Sequence, residues 1–575
     1  MYTFSHGRHM IASTRRQRAR EQGGGVTTFE YRFRSPHFAP EDKGATPPAY
    51  KAKQIGDVLY EKDVAVTLPD GVVIHVDVFR PVEGIAAPLI GWGPYGKHGH
   101  TKYSVNFPKA EVHDHLISDY TAFEAPDPLY WVPHGYAVIN PDPRGTWYSE
   151  GRATYLSPEE AKDFAALIEW AGTQPWSNGK VGLSGVSYLT SSQWRVAELN
   201  PPYLAAINPW EGWSDTYREV IRHGGIPETS FWSYLPGRWG HAVTEVEDLP
   251  LESDEREFFD AYWDSKRSKL ERIEVPAFVC ASWTDQALHT RGTLEGYRRI
   301  SSEKKWLYVH GRKKWAHYYE PRCVEMQRAF FDQFLLGKET EVSDWPAVRY
   351  ELREKYYVGT ELPARAWPIE NTNYVPLYLS PGKLDETAGA ESTLSYRPED
   401  GEKLVFDHTF EKATDLVGHM ALSLDVSIEE GDDMDIFVAV QKLDVDGNIV
   451  PFAFYAQFDN GPVALGWLRV SHRELDKAES EPHRPVLAHR RALKLSPGEI
   501  VPVEIEIWPS GTHFDAGESL RLVIAGKDIY DYPKPSVYAR HEDLRNRGRQ
   551  TLHMGGEKPA RLLVPVVNTS HENAI

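Results

Sequence analysis

The run Lys180-Val181-Gly182-Leu183-Ser184-Gly185-Val186-Ser187-Tyr188-Leu189 constrains this chain more than any other. An apolar strand reaches a glycine, a serine follows two residues later, and a helix-competent stretch begins at once. This is the layout of a nucleophile elbow, a tight strand-to-helix turn that pushes a serine hydroxyl out of the top of a sheet. The usual elbow reads G-x-S-x-G. Here Leu189 and Thr190 follow Tyr188 and the second glycine is missing. Taken alone, the run reads equally well as a strand end capped by a serine. A free serine is a poor nucleophile, so the turn has chemical meaning only with a base nearby.

In a sheet of this kind the acid and then the histidine follow the nucleophile along the chain. Val275 to Ala281 reads as a buried parallel strand with Ser282-Trp283-Thr284-Asp285 at its C-terminal end. Thr293 to Ile300 reads as helix and Lys305 to His310 as a second strand. The loop Gly311-Arg312-Lys313-Lys314-Trp315-Ala316-His317 comes next. The ordered trio is Ser187, Asp285 and His317, each just past its own strand, where functional groups of open α/β sheets collect. His310, at a strand end, is the rival base and also fits a structural histidine. Acyl transfer needs donors for the developing oxyanion. The elbow offers the Tyr188 N–H. The loop Pro94-Tyr95-Gly96-Lys97, after the strand Pro88 to Gly93, offers the Tyr95 O–H, although Tyr95 also fits simple packing on a glycine-rich turn.

Around these motifs, Val58 to Phe79 alternates about the turn Pro69-Asp70-Gly71, a hairpin signal. Tyr136 to Asn140 is a core strand. Ser157 as N-cap, Pro158 at the first helical position and Glu160 completing a capping box open a helix that runs to about Gly172. Strand, capped helix and elbow strand make a βαβ crossover on a parallel sheet. Between the elbow helix and the Asp285 strand, aromatic residues crowd a segment read as a helical cap. Trp210, Trp213, Phe231 and Trp232, with Gln286 and Leu288 beside Asp285, are the candidate walls of a substrate pocket. From about Tyr350 short strands alternate with turns, among them a hairpin at Asp444-Val445-Asp446-Gly447, which indicates a β-sandwich. Asp432, Asp433 and Asp435 could hold calcium, but they lack the glycine-centred spacing of an EF-hand and read better as an exposed turn.

Several separated motifs, in order, resemble the cocaine-esterase-like hydrolases, the CocE/NonD group, related to X-prolyl dipeptidyl aminopeptidases and α-amino-acid ester hydrolases. They are Pro94-Tyr95-Gly96-Lys97, Asp142-Pro143-Arg144-Gly145-Thr146, Gln174-Pro175-Trp176 and Gly185-Val186-Ser187-Tyr188-Leu189. Farther on come Gly466-Trp467-Leu468-Arg469-Val470-Ser471-His472-Arg473, Leu495-Ser496-Pro497-Gly498 and Gly517-Glu518-Ser519-Leu520-Arg521-Leu522. The resemblance spans roughly residues 55 to 565. It implies Ser187 as nucleophile, Asp285 as acid, and Tyr95 with the Tyr188 N–H as oxyanion hole. The family's histidine lies in a short G-P-W-x-H loop. Here the loop is two residues longer and basic, and Trp315-Ala316-His317 matches W-x-H. The family glycine at position 190 is a threonine.

The expected fold class is α/β: residues 1–50 an N-terminal arm, partly disordered; 51–205 and 275–345 an α/β-hydrolase domain; 206–274 an inserted helical cap; 346–575 a β-sandwich, jelly-roll-like by resemblance. The formal charge of −19 disfavours nucleic acid as a partner. Two cysteines, Cys280 and Cys323, make no disulfide framework and fit reduced thiols in a cytoplasmic protein. No apolar run is long enough to cross a membrane as a helix. The first 25 residues are arginine-rich and end in Gly23-Gly24-Gly25; they read as a disordered arm, against an expression remnant or a weak transit peptide. The expected activity is a serine hydrolase working through an acyl-enzyme, a carboxylesterase on a small organic ester, with no cofactor and no metal. Its partners are a small-molecule ester or amide and, beyond that, further copies of itself. An X-prolyl dipeptidyl aminopeptidase, an α-amino-acid ester hydrolase, an acyltransferase and, from another class, a non-catalytic binding protein stay open. Glu211 and Asp215 are conceivable anchors for a substrate ammonium.

Overall fold

Parallel strands buried on both faces, each feeding a loop or helix, organise the first 365 residues. A computed structural model describes residues 15–16, 29–98, 102–232, 235, 240–533, 537–557 and 559–567. In chain order the sheet strands and helices are β1 Val58–Thr67, β2 Val73–Pro81, β3 Ala87–Ile90, β4 Tyr136–Asp142, α1 Pro158–Gly172, β5 Val181–Val186, α2 Tyr188–Ala197 and β6 Leu204–Trp210. They continue with β7 Ala277–Ser282, α3 Thr290–Arg299, β8 Lys305–His310, α4 Lys314–Tyr318, α5 Pro321–Phe334, β9 Val348–Lys355 and β10 Val358–Ala364. β1, β2 and β4 pair antiparallel. From β4 the order β4-β3-β5-β6-β7-β8-β9 is parallel throughout, and β10 closes the edge antiparallel. β5 and β7 are buried at every position, as strands covered on both faces must be. Ser187 follows β5 in the middle of this sheet, and Asp285 follows β7 two strands away.

The Ser157 cap forms as expected: its side chain accepts the Glu160 N–H at 3.0 Å, with Pro158 opening the helix. The capping box does not close. Glu160 is drawn instead to the Trp92 indole N–H, the Leu156 N–H and the Tyr188 hydroxyl, three donors that a buried carboxylate needs more than the N-cap amide does.

Residues 29–50, expected from sequence to belong to the arm, carry packed structure. Phe33–Arg34 pairs antiparallel with Val246–Glu247, and Tyr31 and Phe33 are buried. Apart from Arg15–Arg16, the first 28 residues lie outside the described residues. The segment expected to be a helical cap starts with a sheet strand, because Leu204–Trp210 continues the parallel order. Among its described residues the remainder holds short pieces: a π-turn at Tyr217–Ile221, a two-residue hairpin pairing Arg222–His223 with Ile226–Pro227, the strand Val246–Glu247, helices Leu249–Glu255 and Ala261–Ser265, and a 3-10 turn at Leu270–Arg272. The hairpin turns at Gly224-Gly225, both with positive φ, and Pro250 sits in the first turn of the next helix. Such residues break the segment into pieces too short for a continuous helix.

Among the described residues from Asn373 to Val567 the main strands form two facing antiparallel layers. One contains Asn373–Ser380, Arg561–Val567, Thr414–Ile428 and Val501–Phe514. The other contains Lys403–Thr409, Ser519–Ala525, Asp435–Leu443 and Ala464–Arg469. Leu422, Leu424, Val438, Val440, Ile505 and Leu522 fill the space between them. Arg353 of β9 pairs with Thr512, joining the parallel sheet to this second unit. The acidic turn is bonded within the protein. Asp433 accepts the Met434 and Ser471 N–H groups, and Asp435 takes a two-pronged pair from Arg469 at 2.8 and 3.1 Å plus the Arg545 N–H. Replacing Asp435 by alanine would leave the buried Arg469 guanidinium without its carboxylate. The Asp435→Ala protein is expected to lose about 3–5 kcal/mol of stability, read as a lower denaturation midpoint. An unchanged midpoint would mean that Arg469 finds another partner.

Candidate active site

Ser187 carries φ 62°, in the left-handed region, at the turn from β5 into α2. A β-carbon there costs energy and persists only where the surroundings hold it. Two amide bonds do so: Ser187 N–H donates to Glu211 O at 2.8 Å and Val186 N–H to Glu124 O at 3.0 Å. Leu189 takes the second glycine position of the elbow motif, and Thr190, standing where the resembling family has glycine, fits because its neighbour across the turn is Gly212. A β-carbon at Gly212 would come within 2.5 Å of the Thr190 side chain and 2.9 Å of Ser187 O. Thr190 Oγ1 uses the space: it accepts the Trp210 N–H at 2.7 Å and lies 2.9 Å from Gly185 O.

The imidazole on Ser187 belongs to His289. Its Nε2 lies 3.2 Å from Ser187 Oγ, and its Nδ1 bonds Asp285 Oδ2. Asp285 and His289 are four residues apart on one turn, where the Asp285 carbonyl accepts the His289 and Thr290 N–H groups. The Trp213 ring stacks on His289 at 5.6 Å between centroids. Burial, and then the charge of Lys314, push the His289 imidazole below its ordinary pKa, while Asp285 works against them. Burial alone would raise Asp285, but Lys314 and His289 outweigh it and hold the carboxyl below its usual range.

This replaces the expectation for His317. The two extra residues of the basic loop advance Lys314, rather than His317, to the acid: Lys314 Nζ is 2.8 Å from Asp285 Oδ2. His317 bonds the Tyr308 hydroxyl at 3.0 Å through Nε2 and Glu320 at 2.7 Å through Nδ1. Burial and neighbouring His310 lower its pKa to about 4. His310 lies under the sheet end, 3.0 Å from Glu211 Oε1, its pKa pushed by burial down to about 3.

Above Ser187 opens a cavity of about 310 Å³. Tyr95 is on its wall, ring to ring with Phe123 at 4.9 Å and Tyr188 at 6.3 Å. The Tyr188 hydroxyl is fixed on Glu160, so its ring is locked while its N–H opens α2 just after the nucleophile. Phe107, Phe123, Trp147, Phe231 and Trp315 make one part of the wall aromatic, Lys97, Asp142, His241 and Lys314 make another part polar, and Tyr455 and Gln457 reach in from the second unit. Of the six pocket residues expected from sequence, Phe231 alone is on the wall. Trp210 ends β6 and packs in the core against Tyr318 and His310. Trp213 backs His289. The Trp232 N–H is held by Glu228, and Leu288 is in the core. Gln286 faces the second unit, donating to Pro509 O and accepting from Leu465 N–H. Crowded aromatics were visible in the sequence; which side of a folded segment they face was not. Glu211 accepts from Ser282 and Asp215 from Arg218, both off the cavity wall. Glu124, missed from sequence, is on the wall. Its Oε1 accepts the Trp315 indole N–H at 2.8 Å, Oε2 has no partner, and burial lifts its pKa to about 8 against the pull of Lys314.

Residues 70–319 match the model of the X-Pro dipeptidyl-peptidase (S15) family, and residues 340–563 that of the X-Pro dipeptidyl-peptidase C-terminal non-catalytic domain. A CocE/NonD family hydrolase from Staphylococcus aureus is 40% identical, with TM-score 0.87 over 92% of this chain and 98% of that one. The chain belongs to the CocE/NonD family of hydrolases. It is similar also to the cocaine esterase of Rhodococcus sp. (strain MB1 Bresler), 22% identical over 89% of this chain and 99% of that protein. With a crystallised α-amino acid ester hydrolase, 16% identical at TM-score 0.67 over 90% of this chain and 98% of that one, it shares the fold. This CocE/NonD chain is a serine hydrolase acting on ester or amide bonds, with a mainly β non-catalytic C-terminal domain. No helix among the described residues is long and apolar enough to cross a membrane.

Two outcomes are expected from the geometry. His289→Ala should be as damaging as Ser187→Ala, since such residues act as a unit, whereas His317→Ala should retain most activity; steady-state rates on one ester decide, and the reverse ranking would return the base to His317. Gly212→Ala should lower kcat by roughly tenfold or more by displacing Ser187, on the scale of a misplaced reacting group, and adding Thr190→Gly should recover part of the loss. No recovery would mean that the clash is with the Ser187 backbone alone.

Proposed function

We propose that this enzyme is a carboxylesterase of small, largely apolar esters, with Ser187 as nucleophile, His289 as base and Asp285 as its orienting acid. The observation that carries this reading is the Ser187 Oγ to His289 Nε2 contact of 3.2 Å at the floor of an aromatic cavity. Ser187 attacks the acyl carbonyl while His289 takes its proton at Nε2. The Nδ1–H stays on Asp285, which stabilises the imidazolium as it forms. The Tyr95 O–H and the Tyr188 N–H hold the oxyanion. His289 returns the proton to the departing alkoxide, and water, deprotonated by the same imidazole, then cleaves the acyl-enzyme.

An amine-anchored substrate, as in aminopeptidase chemistry, needs a charged carboxylate facing the pocket. Glu211 and Asp215 are engaged elsewhere. Burial lifts the Glu124 pKa to about 8, so that it is largely neutral at lower pH, and it lies near the Lys314 charge, a poor setting for an ammonium. The aromatic wall favours an apolar acyl or alcohol group. In this reading the α/β-hydrolase domain, expected over 51–205 and 275–345, extends to Trp210 and, through β9 and β10, to Ala364, and the sandwich that follows is jelly-roll-like and shapes one side of the cleft. The enzyme works in the cytoplasm.

A fluorophosphonate probe should label wild type and not Ser187→Ala, and p-nitrophenyl esters should outrun aminoacyl-proline amides. Labelling at wild-type level in Ser187→Ala, or the opposite substrate order, overturns the reading. Tyr95→Phe should lower kcat by about 10²–10³ with KM little changed, the usual effect of losing one oxyanion donor. A normal kcat would leave Tyr95 as a packing residue.

A further inference from the structure

The proposed base and acid share their site with a buried cation. Lys314 Nζ lies 2.8 Å from Asp285 Oδ2 and 3.2 Å from His289 Nδ1, and its side chain is only 5% exposed. The imidazole Nδ1–H and the ammonium therefore converge on one carboxylate oxygen, while Asp285 Oδ1 has no partner. The loop is anchored so that this reach is fixed: neighbouring Lys313 bonds Lys109 O at 2.8 Å and Glu111 at 2.7 Å, and Trp315 bonds Glu124. A surface lysine would give little at such a distance, but a buried charge is weakly screened.

We propose that Lys314 is a positioning residue of this active site: it fixes Asp285 in place and, by sharing its charge, sets how readily His289 accepts a proton. The inference rests on the catalytic reading above. In a Ser-His-Asp site without a cation the whole carboxylate charge favours the imidazolium. Here part of it is committed to Lys314, so His289 stays neutral, and able to take the serine proton, to lower pH. The other groups facing His289 are Ser187 on the elbow, the Trp213 ring and Glu211 from the end of β6. Glu211 favours the imidazolium only when ionised. Burial and then the Asp285 charge push its pKa upward, so it is largely neutral where His289 titrates. Glu124 faces Lys314 from the opposite wall and, with a pKa near 8, is likewise neutral there. Lys314 is thus the one group among these whose charge counters Asp285 throughout that range.

The test is the pH dependence of kcat/KM on p-nitrophenyl butyrate, from about pH 5 to about pH 9, for full-length wild type, Lys314→Met and Lys314→Arg. Wild type should show an acid limb with its midpoint below the ordinary imidazole value of 6.5. In Lys314→Met the limb should move to higher pH, so that activity at about pH 5.5 falls at least roughly tenfold more than at about pH 8, as expected for loss of a charge in contact. Lys314→Arg, which keeps the charge, should restore most of the low-pH activity. A wild-type midpoint at or above 6.5 overturns the proposal, and so does a limb that Lys314→Met leaves in place. Should Lys314→Met fail to fold, the wild-type midpoint and Lys314→Arg decide: a midpoint below 6.5 that arginine preserves supports it, and an arginine limb moved to higher pH overturns it. Fluorophosphonate labelling separates the two readings. An enzyme that the probe never labels at Ser187 lacks the proposed nucleophile; one that it labels, with a limb indifferent to Lys314, lacks only the role given to the lysine.

Discussion

The strained turn at Ser187 is the constraint to which the rest of the centre answers. Its left-handed backbone is held by carbonyls of Glu124 and Glu211, and both of those residues also have positive φ, 64° and 49°. Their backbones support Ser187 while their side chains lie near Asp285 and its neighbours, where both carboxyls are buried and their pKa values raised by burial. One pair of residues thus links the mechanical support of the elbow to the electrostatics around His289. Placing a carboxyl on each support costs far more if it ionises, and burial favours the neutral form of both.

Several other interior charges sit in closed sets. Lys97 on the cavity wall sits among Asp63, Asp77 and Asp142. Glu160 gathers Trp92, Leu156 and Tyr188, and Lys266 meets Glu247 under the cap segment. Asp285 differs from these because one of its two oxygens has no donor and the other has two. That asymmetry is what leaves its charge divided between a reacting group and a fixed one.

How much of this was legible depended on how local the signal was. Ser187 and Asp285 were readable because each follows a strand whose apolar run is continuous in sequence. The end of β8 was readable for the same reason, but the loop after it misled. Trp315-Ala316-His317 looks like the family loop, yet two inserted residues shift what reaches the acid, and spacing says nothing about reach. The signal that could have found His289 was its closeness to Asp285, four residues on along a single turn that ends where the helix Thr290–Arg299 begins. Thr190 in the elbow was legible as a departure, but its compensation at Gly212 was not, since contact across the turn joins positions 22 apart in the chain. In the sandwich most strands were visible by alternation. Gln550–Met554 and Arg561–Val567 pair with strands more than 100 residues earlier, partners that no local spacing can name.

Gln286 occupies the position next to the proposed acid and is tied on its far side to Pro509 and Leu465 of the second unit, while Tyr455 N–H of that unit bonds Thr284 O one residue before the acid. The loop that presents Asp285 is therefore clamped from outside its own sheet. Because the sandwich holds this loop through main-chain atoms, its own side chains there can vary without loosening the hold, whereas a shift of the 452–465 or 509–512 backbone would carry the Asp285 loop with it.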